Sequence, residues 1–304
     1  MTDDRRYVLV LAHTGRGDTV EAAASVLGLL AASDVVPVLT RTERVDLAGR
    51  CDVASAAVLG EDVRTEDLEL VVVLGGDGTI LRAAELVRGT EVPMLGVNLG
   101  HVGFLAEAER DDLTRTIDRV IARDWDVEER LAVEMRVQRD GEVLHRDWAL
   151  NEVTVEKAAR ERMLEVVLEV DGRPLSTFGC DGIVVSTPTG STAYAFSAGG
   201  PVVWPTLDAM LVVPLSAHAL FARPLVVPPT SSVAIEVLRR TPAAGVVWAD
   251  GRRMTELAVG SRIEITASPS PVRLARLHAT EDLFTDRLVH KFDLPVAGWR
   301  GPVS

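Results

Sequence analysis

The first 125 residues alternate between short apolar runs and longer segments whose apolar positions have helical spacing. The runs at residues 7–12, 35–39, 68–74 and 93–97 are continuous rather than alternating, which predicts strands covered on both faces. Segments with helical spacing begin at Asp18, follow Gly78 and occupy residues 111–123. This alternation predicts a parallel sheet with helical crossovers.

The pattern changes after Trp125, where helical spacing becomes scarce and short strand-like segments follow one another. Asp140-Gly141 and Asp171-Gly172 are typical β-turn dipeptides. The predicted strands cover residues 133–137, 143–148, 153–155, 164–170, 211–213, 225–227, 233–238, 246–249, 262–266 and 272–277. Such spacing predicts a β-sandwich or a related all-β layer. Residues 280–292 return to helical spacing, which predicts a helix that docks its apolar face on one of the domains.

Composition and charge narrow the function classes. The chain has 304 residues, 47% hydrophobic and 25% charged, which is typical of a globular protein of about two domains. A formal net charge of −13 argues against nucleic acid or an anionic membrane as the main partner. No apolar run approaches bilayer length or a signal h-region, so we expect a cytoplasmic protein. The only cysteines, Cys51 and Cys180, form no C-x-x-C pair, so neither a disulfide framework nor a structural zinc site is expected.

A glycine-rich loop, Gly-Gly-Asp-Gly-Thr at residues 75–79, joins a predicted strand to a predicted helix. This geometry directs backbone N–H groups at an anion. The loop has neither the lysine of a Walker loop nor the third glycine of a dinucleotide fingerprint. It contains Asp77, whose carboxylate repels phosphate unless it accepts a proton or binds a cation, and which is therefore a candidate for chemistry. The alternative is an ordinary turn in which Asp77 caps the helix and Thr79 lies in its first turn.

Asn151-Glu152 interrupts an apolar strand. Adjacent residues of a strand point to opposite faces, so at most one of the two is expected in solvent. An ionised glutamate is rarely buried without a partner, which favours a ligand-binding role. The alternative is an edge strand on which both side chains are solvated.

Hydroxyl-bearing residues and glycines are concentrated at residues 186–201. Short hydroxyl side chains and exposed N–H groups are suited to a sugar or a phosphate, and Tyr194 offers an aromatic face or a hydroxyl to a base. The alternative is an ordinary connection between strands, although such a length of small polar residues is a costly loop without a ligand.

The loops at 75–79 and 98–105, Asn151-Glu152 and the stretch at 181–201 together resemble the motifs of NAD kinases in order and spacing. The resemblance is most specific at residues 187–194, Thr-Pro-Thr-Gly-Ser-Thr-Ala-Tyr, because diacylglycerol-kinase-type lipid kinases and phosphofructokinases carry similar glycine loops. It implies phosphoryl transfer from ATP or inorganic polyphosphate to the adenosine-ribose 2′-hydroxyl of NAD. The product would be NADP, and Mg²⁺ would assist.

The resemblance also implies roles for individual residues. Asp77 would be the acid near the acceptor hydroxyl, and Gly76, Gly78 and Thr79 would surround the phosphates. Asn151 and Glu152 would contact the ribose hydroxyls. The adenosine and nicotinamide pockets would be lined by Asp181, Thr189, Thr192, Ala193, Tyr194 and Ser197. Asp250 matches a family position near the nicotinamide end, but a type I′ hairpin turn explains Asp250-Gly251 at least as well. No residue is assigned as a metal ligand.

The fold implied is an α/β domain plus an all-β domain. A Rossmann-like α/β domain would occupy residues 1–125 and a β-sandwich NAD-binding domain residues 126–277, and the tail, 278–304, would pack back on the first domain. By analogy with the family, we expect a homodimer or homotetramer. Two alternatives stay open: a lipid kinase of the diacylglycerol-kinase type and a non-catalytic dinucleotide sensor. The preferred donor and the acceptance of NADH also stay open.

Overall fold

The computed structural model describes residues 5–99, 103–106, 108–109, 112–219, 222–241, 244–277 and 284–296. The chain divides into two compact units. The first comprises Met1–Glu129 together with Arg273–Ser304, and the second comprises Arg130–Val272. No helix of the described ranges is long and apolar enough to cross a membrane.

The first unit is built on one eight-stranded sheet. Its strands are β1 (Arg6–Ala12), β2 (Val35–Leu39), β3 (Ala57–Val58), β4 (Leu70–Leu74), β5 (Met94–Asn98), β6 (Ala108–Glu109), β7 (Trp125–Arg130) and β20 (Val272–Leu277). Its helices are α1 (Gly17–Ala31), α2 (Arg41–Leu47), α3 (Asp77–Leu86), α4 (Leu113–Ala122) and α6 (Phe284–Phe292). The strand order is β3-β2-β1-β4-β5-β20-β7, and β6 pairs with β5.

The predicted parallel sheet with helical crossovers is confirmed, because β1 pairs in parallel with both β2 and β4, and β4 pairs in parallel with β5. All five residues of β4 are 0% exposed, as the continuous apolar run predicts for a strand covered on both faces. Strand order reverses between β1 and β4: the chain moves from β1 to β2 and β3 on one side, and from β4 to β5 on the other. In open α/β sheets, ligands bind in the crevice at the carboxyl ends of the strands at such a switch point.

The second unit contains two six-stranded antiparallel sheets. One has the order β15-β14-β13-β10-β17-β18 and the other the order β12-β11-β16-β19-β8-β9. The strands are β8 (Val133–Arg139), β9 (Glu142–Ala149), β10 (Glu152–Lys157), β11 (Leu164–Val170), β12 (Arg173–Cys180), β13 (Gly182–Ser186), β14 (Met210–Leu215), β15 (Leu225–Val227), β16 (Val233–Val237), β17 (Gly245–Ala249), β18 (Arg253–Leu257) and β19 (Arg262–Ala267). A short helix, α5, spans Tyr194–Ser197. Buried residues of both sheets form one apolar core, so the predicted sandwich is confirmed.

Three details differ from the sequence prediction. The last predicted sandwich strand, 272–277, is β20 of the first sheet, where Leu274 pairs with Met94. The predicted boundaries at 125/126 and 277/278 accordingly differ from the observed division at Glu129/Arg130 and Val272/Arg273. Strand spacing along the chain cannot report which sheet a strand joins, because pairing is decided by contacts distant in sequence. Strands β3, β6, β7, β12 and β18 were also not predicted. Of these, β12 and β18 carry polar residues and little apolar alternation.

The C-terminal helix α6 packs on Phe104 within the first unit. The Phe284 and Phe292 rings lie 5.8 and 5.9 Å from the Phe104 ring, centre to centre, and Arg287 Nη1 donates to the Phe104 carbonyl at 3.2 Å. The predicted apolar stripe thus contains both phenylalanines that make this contact. Residues 280–283 of the predicted helix lie outside the described residues.

Candidate active site

Asp77 lies at the start of α3, directly after the loop at the carboxyl end of β4. The N-cap of α3 is Gly76, so the interpretation of Asp77 as a helix cap is wrong. The half-buried Asp77 carboxylate instead accepts a hydrogen bond at Oδ1 from the backbone N–H of Leu105, at 3.3 Å. Gly76 and Gly78 are exposed, and Thr79 is buried in the first turn as the turn interpretation predicts. The loop therefore combines accessible backbone with a carboxylate held in place.

Gly103 fixes the space available to the Asp77 side chain. A Cβ atom at Gly103 would overlap Asp77 Oδ1 and come within 3.2 Å of its Cγ. The loop after β5 therefore approaches the carboxylate at a point where any side chain would displace it. The preceding residues of this predicted loop, Gly100, His101 and Val102, lie outside the described residues.

We predict that Gly103→Ala lowers the turnover number of a reaction that uses the Asp77 carboxylate about tenfold. The reason is that a displaced carboxylate loses its alignment with the reacting group. Steady-state rates at saturating substrate measure the effect. Gly28→Ala is the matched control, since Gly28 lies in α1 and a Cβ there meets nothing within 4 Å. Equal rates for wild type and Gly103→Ala would contradict the positioning role.

Asn151 and Glu152 lie at the start of a central strand of the second unit. Strand β10 pairs with β13 on one side and with β17 on the other, so the edge-strand alternative is wrong. Asn151 is 8% exposed and Glu152 is 6% exposed. Two adjacent polar side chains buried on a central strand require specific partners, since an unpaired buried polar group is costly.

Asp250 supplies part of this environment. It occupies the turn between β17 and β18, where Asp250 and Gly251 have φ of 53° and 62°, as in a type I′ hairpin. Its carboxylate accepts hydrogen bonds from the backbone N–H groups of Leu150 at 3.0 Å and Asn151 at 2.7 Å. Its own N–H donates to the Glu152 carbonyl at 2.9 Å. The hairpin interpretation is confirmed, and the same residue also fixes the backbone of Asn151-Glu152.

Glu152 is electrostatically unusual. Burial, together with the negative charge of Asp250, raises its pKa to about 8, and a hydrogen bond from the Tyr194 backbone N–H opposes the rise. Its Oε2 atom is buried and has no hydrogen-bond partner among the described residues. Burial also raises the pKa of Asp250, against the hydrogen bonds from the Asn151 and Leu150 amides. An acceptor atom without a donor inside the protein is what a ligand hydroxyl can satisfy.

Arg253 supports Asp250 from the first position of β18. Its guanidinium lies 3.5 Å from Asp250 Oδ2, and its Nε lies 3.1 Å from each carboxylate oxygen of Asp147. It also lies 5.3 Å from the centre of the Trp148 ring. Sequence reasoning missed these three residues. The one available signal was the position of Arg253 three residues after Asp250. Its contacts with β9 could not be predicted, because they join residues more than one hundred positions apart in the chain.

The hydroxyl-rich stretch forms a 3₁₀ turn at Thr189–Thr192, followed by α5. Several of its hydroxyls bond within the protein. Thr187 Oγ1 donates to the Leu150 carbonyl at 2.6 Å, and Ser191 Oγ donates to the Val203 carbonyl at 3.2 Å. Gly190 packs so closely that a Cβ there would overlap the Asn151 carbonyl oxygen. These residues therefore build the turn beside Asn151, and the structural alternative is correct for Thr187 and Ser191.

Asp181, Tyr194 and Ser197 line one open cavity of about 610 Å³ in the second unit. Sequence reasoning missed Lys157 of this cavity, whose Nζ lies 2.5 Å from Asp181 Oδ1. That hydrogen bond keeps the pKa of Asp181 below its usual range.

Thr192 and Ala193 are half-buried between the 3₁₀ turn and α5, and Thr189 is 7% exposed. The structure thus brings Asp181, Tyr194 and Ser197 to this cavity, and the Tyr194 backbone N–H bonds to Glu152, whereas Thr189, Thr192 and Ala193 are not among the residues that line the cavity.

Comparison with known proteins identifies the family. The model of the ATP-NAD kinase N-terminal domain matches residues 19–125, and that of the ATP-NAD kinase C-terminal domain matches residues 150–277. The NAD kinase of Leifsonia xyli subsp. xyli is 62% identical over 299 residues, which cover 98% of this chain and 98% of that protein.

Two solved structures have the same fold. Yeast NADH kinase complexed with NADH has a TM-score of 0.85 at 22% identity, covering 98% of this chain and 90% of that one. An NAD kinase from Archaeoglobus fulgidus in complex with ATP has a TM-score of 0.67 at 26% identity, covering 95% of this chain and 100% of that one. The two family models and the 62% identical relative show that the lipid kinase alternative is wrong. The chain belongs to the NAD kinase family, the phosphotransferases that convert NAD to NADP.

Proposed function

We propose that this chain transfers the terminal phosphoryl group of ATP to the adenosine-ribose 2′-hydroxyl of NAD, with Asp77 as the general base. The observation that carries the proposal is the Asp77 carboxylate, held by Gly103 and the Leu105 N–H beside exposed glycine backbone at the carboxyl edge of a parallel sheet. The ATP complex of the A. fulgidus relative supports ATP as the donor. Inorganic polyphosphate offers the same phosphoryl chemistry.

The reaction forms one O–P bond and breaks another. A secondary hydroxyl is a weak nucleophile at neutral pH, and a carboxylate within hydrogen-bond reach orients it and accepts its proton. As the 2′-oxygen bonds to the transferred phosphorus, the bond to the bridging oxygen breaks and ADP leaves with that electron pair. Backbone N–H groups of the glycine loop stabilise charge on the transferred group.

Mg²⁺ fits this site as an ion that arrives with the donor. The described residues contain no group of three His, Cys, Asp or Glu side chains placed to hold a metal. Mg²⁺ in phosphoryl-transfer sites is commonly held by substrate phosphates plus one or two carboxylates, and Asp77 is the carboxylate of this loop. When bound, the ion neutralises phosphate charge that would otherwise repel Asp77.

NAD recognition is assigned to residues of the second unit. Asn151 and Glu152 contact the ribose hydroxyls, and the unsatisfied Glu152 Oε2 supports an acceptor role. The adenosine and nicotinamide groups are assigned to Asp181, Thr189, Thr192, Ala193, Tyr194, Ser197 and Asp250. The phosphates are assigned to Gly76, Gly78 and Thr79 of the first unit. For Asp250 the assignment is to the pocket wall, because both of its carboxylate oxygens already accept hydrogen bonds from the Leu150 and Asn151 amides.

By analogy with the family, the protein works in the cytoplasm as a homodimer or homotetramer. The free thiols of Cys51 and Cys180 are consistent with a reducing compartment. Light scattering coupled to size-exclusion chromatography measures the mass of the assembly directly. A monomer at the concentration used for activity would contradict the proposed homodimer or homotetramer.

The decisive experiment incubates purified protein with NAD, Mg²⁺ and either ATP or polyphosphate. We expect NADP, detected with an NADP-specific dehydrogenase, and one mole of ADP for each mole formed with ATP. Parallel reactions with NADH show whether the reduced dinucleotide is accepted. Tight NAD binding without NADP from any donor would instead support the dinucleotide-sensor alternative.

A further inference from the structure

Arg82 crosses the switch point of the first sheet. It extends from α3, which follows β4, and its Nη2 donates to the carbonyl of Ala12, the last residue of β1, at 3.1 Å. The same Nη2 donates to Glu43 Oε1 in the first turn of α2, which follows β2. One side chain therefore connects elements from both halves of the sheet, at the edge where ligands bind in this architecture.

Glu43 orients the guanidinium without saturating it. Glu43 is 2% exposed, whereas the Arg82 side chain is 37% exposed. Both bonds of Arg82 use Nη2, and within the described chain Nε and Nη1 have no hydrogen-bond partner. Nε is buried, so Nη1 is the nitrogen that remains available to a ligand. The Thr40 side chain accepts from the Glu43 N–H at 3.3 Å and holds this turn of α2 in place. Because a guanidinium presents five donors, the exposed part of Arg82 can bind a second anion while Glu43 holds the other edge.

The glycine loop itself creates the need for such a cation. It contains no lysine or arginine, and its one charged residue, Asp77, repels phosphate. Asp77 is directed to the loop after β5, whereas Arg82 of the same helix is directed to the ends of β1 and β2. A phosphate chain in the crevice could therefore contact the Arg82 guanidinium at a distance from the Asp77 carboxylate. Other arginines at this edge bond elsewhere: Arg16 pairs with Asp18, and Arg50 donates to the Thr14 carbonyl.

We infer that Arg82, oriented by Glu43, binds the phosphate chain of the phosphoryl donor. The inference rests on the proposed donor reaction, and it adds the cation that the glycine loop lacks. The recognised chemistry is a linear chain of phosphates, which ATP and inorganic polyphosphate share.

The test compares Arg82→Gln with wild type, using ATP and polyphosphate as separate donors. We expect KM for the donor to rise about 10- to 100-fold, as for the loss of a charge-assisted hydrogen bond. We expect KM for NAD to change less than about twofold. Calorimetric titration with ATP alone, without NAD, should give the same loss. Arg41→Gln is the matched control, because Arg41 is an exposed arginine of α2 paired with Glu61, and its donor KM should not change.

Further variants separate phosphate binding from a purely structural ion pair. Glu43→Gln keeps the guanidinium and should raise the donor KM only a few fold, and Arg82→Lys should recover part of the wild-type value. If Arg82→Gln is unstable because it leaves Glu43 buried without its cation, the double variant Glu43→Gln/Arg82→Gln removes both charges and should show the same high donor KM.

Three results would overturn the inference. The first is an unchanged donor KM in folded Arg82→Gln or in the double variant. The second is a donor KM that rises equally in Glu43→Gln and Arg82→Gln, and the third is a KM for NAD that rises as much as the donor KM. A rise confined to one of two donors that the wild type uses would also contradict a phosphate contact. The wild-type reaction tests the proposed function separately, since NADP formation with a normal donor KM in Arg82→Gln would refute this inference alone.

Discussion

Asp77→Asn is expected to lower turnover by on the order of 10²-fold or more, while NAD affinity stays within about twofold. An amide of the same size keeps the acceptor at Oδ1 for the Leu105 N–H, so the local structure should be retained. It cannot accept the proton of the 2′-hydroxyl at neutral pH. Rates at saturating NAD and ATP, together with NAD binding by calorimetry, measure the two quantities independently.

Asp18→Asn is the matched control for this substitution. Asp18 lies in the first turn of α1, the crossover helix after β1, and pairs with Arg16 at 3.3 Å. The control removes one negative charge from the same edge of the sheet, so a purely electrostatic effect on the donor would appear in both variants. If Asp77→Asn turns over at the wild-type rate, Asp77 has no part in the proton transfer.

Glu152→Gln is expected to have opposite effects on stability and on NAD binding. The pKa of Glu152 is raised from an ordinary 4.5 to about 8 by burial and by Asp250, so the folded protein binds a proton that the unfolded chain releases between these values. This contribution to the free energy of unfolding is complete below pH 4.5 and is lost as pH rises through 8. Its full size is on the order of 5 kcal/mol.

A neutral amide has no such titration. The free energy of unfolding of Glu152→Gln should therefore fall less steeply between pH 5 and pH 9, and the variant should be the more stable protein above pH 8. Asp250, whose pKa is also raised, leaves some slope in both proteins. NAD affinity should fall about tenfold, because the amide NH2 of glutamine can only donate, whereas a carboxyl oxygen at the same place can accept from a ribose hydroxyl.

Denaturant unfolding at a series of pH values without ligand, and calorimetry with NAD, provide the measurements. Glu256→Gln is the control, because it removes a glutamate from the same sheet, where Glu256 of β18 is exposed. Parallel pH profiles for wild type and Glu152→Gln would contradict the protonated, buried state of Glu152. Unchanged NAD affinity would remove Glu152 from the binding site.

The sequence was most informative where local pattern determines structure. The apolar run of β4 and the Asp-Gly turns predicted their elements, because burial on both faces and positive φ impose local residue choices. Asp77 was recognisable because it occurs in a loop where an acid is unexpected. Asn151-Glu152 was recognisable because two polar residues interrupt an apolar strand.

The parts that escaped prediction depend on partners distant in sequence. Asp250 bonds to the Leu150 amide across one hundred residues, and Glu43 meets Arg82 across thirty-nine. A charged residue at either position is compatible with an ordinary surface, so the chain alone gives no reason to pair them. The hydroxyls of Thr187 and Ser191 were predicted as part of a ligand-binding stretch, but they bond to backbone carbonyls within the protein. The sequence cannot separate these two roles, because serine and threonine serve in both.

The position of β20 has a consequence for synthesis of the protein on the ribosome. Since β20 lies between β5 and β7, the first sheet has an unfilled place until β20, which follows the second unit along the chain, has been translated. The second unit needs nothing beyond Val272 and can complete its two sheets earlier. A nascent chain that stops before β20 would leave β5 unpaired around Met94, where β20 pairs and β6 does not, and an unpaired strand edge is a template for aggregation. Maturation of the Asp77 unit is therefore a late event, following completion of the unit assigned to NAD.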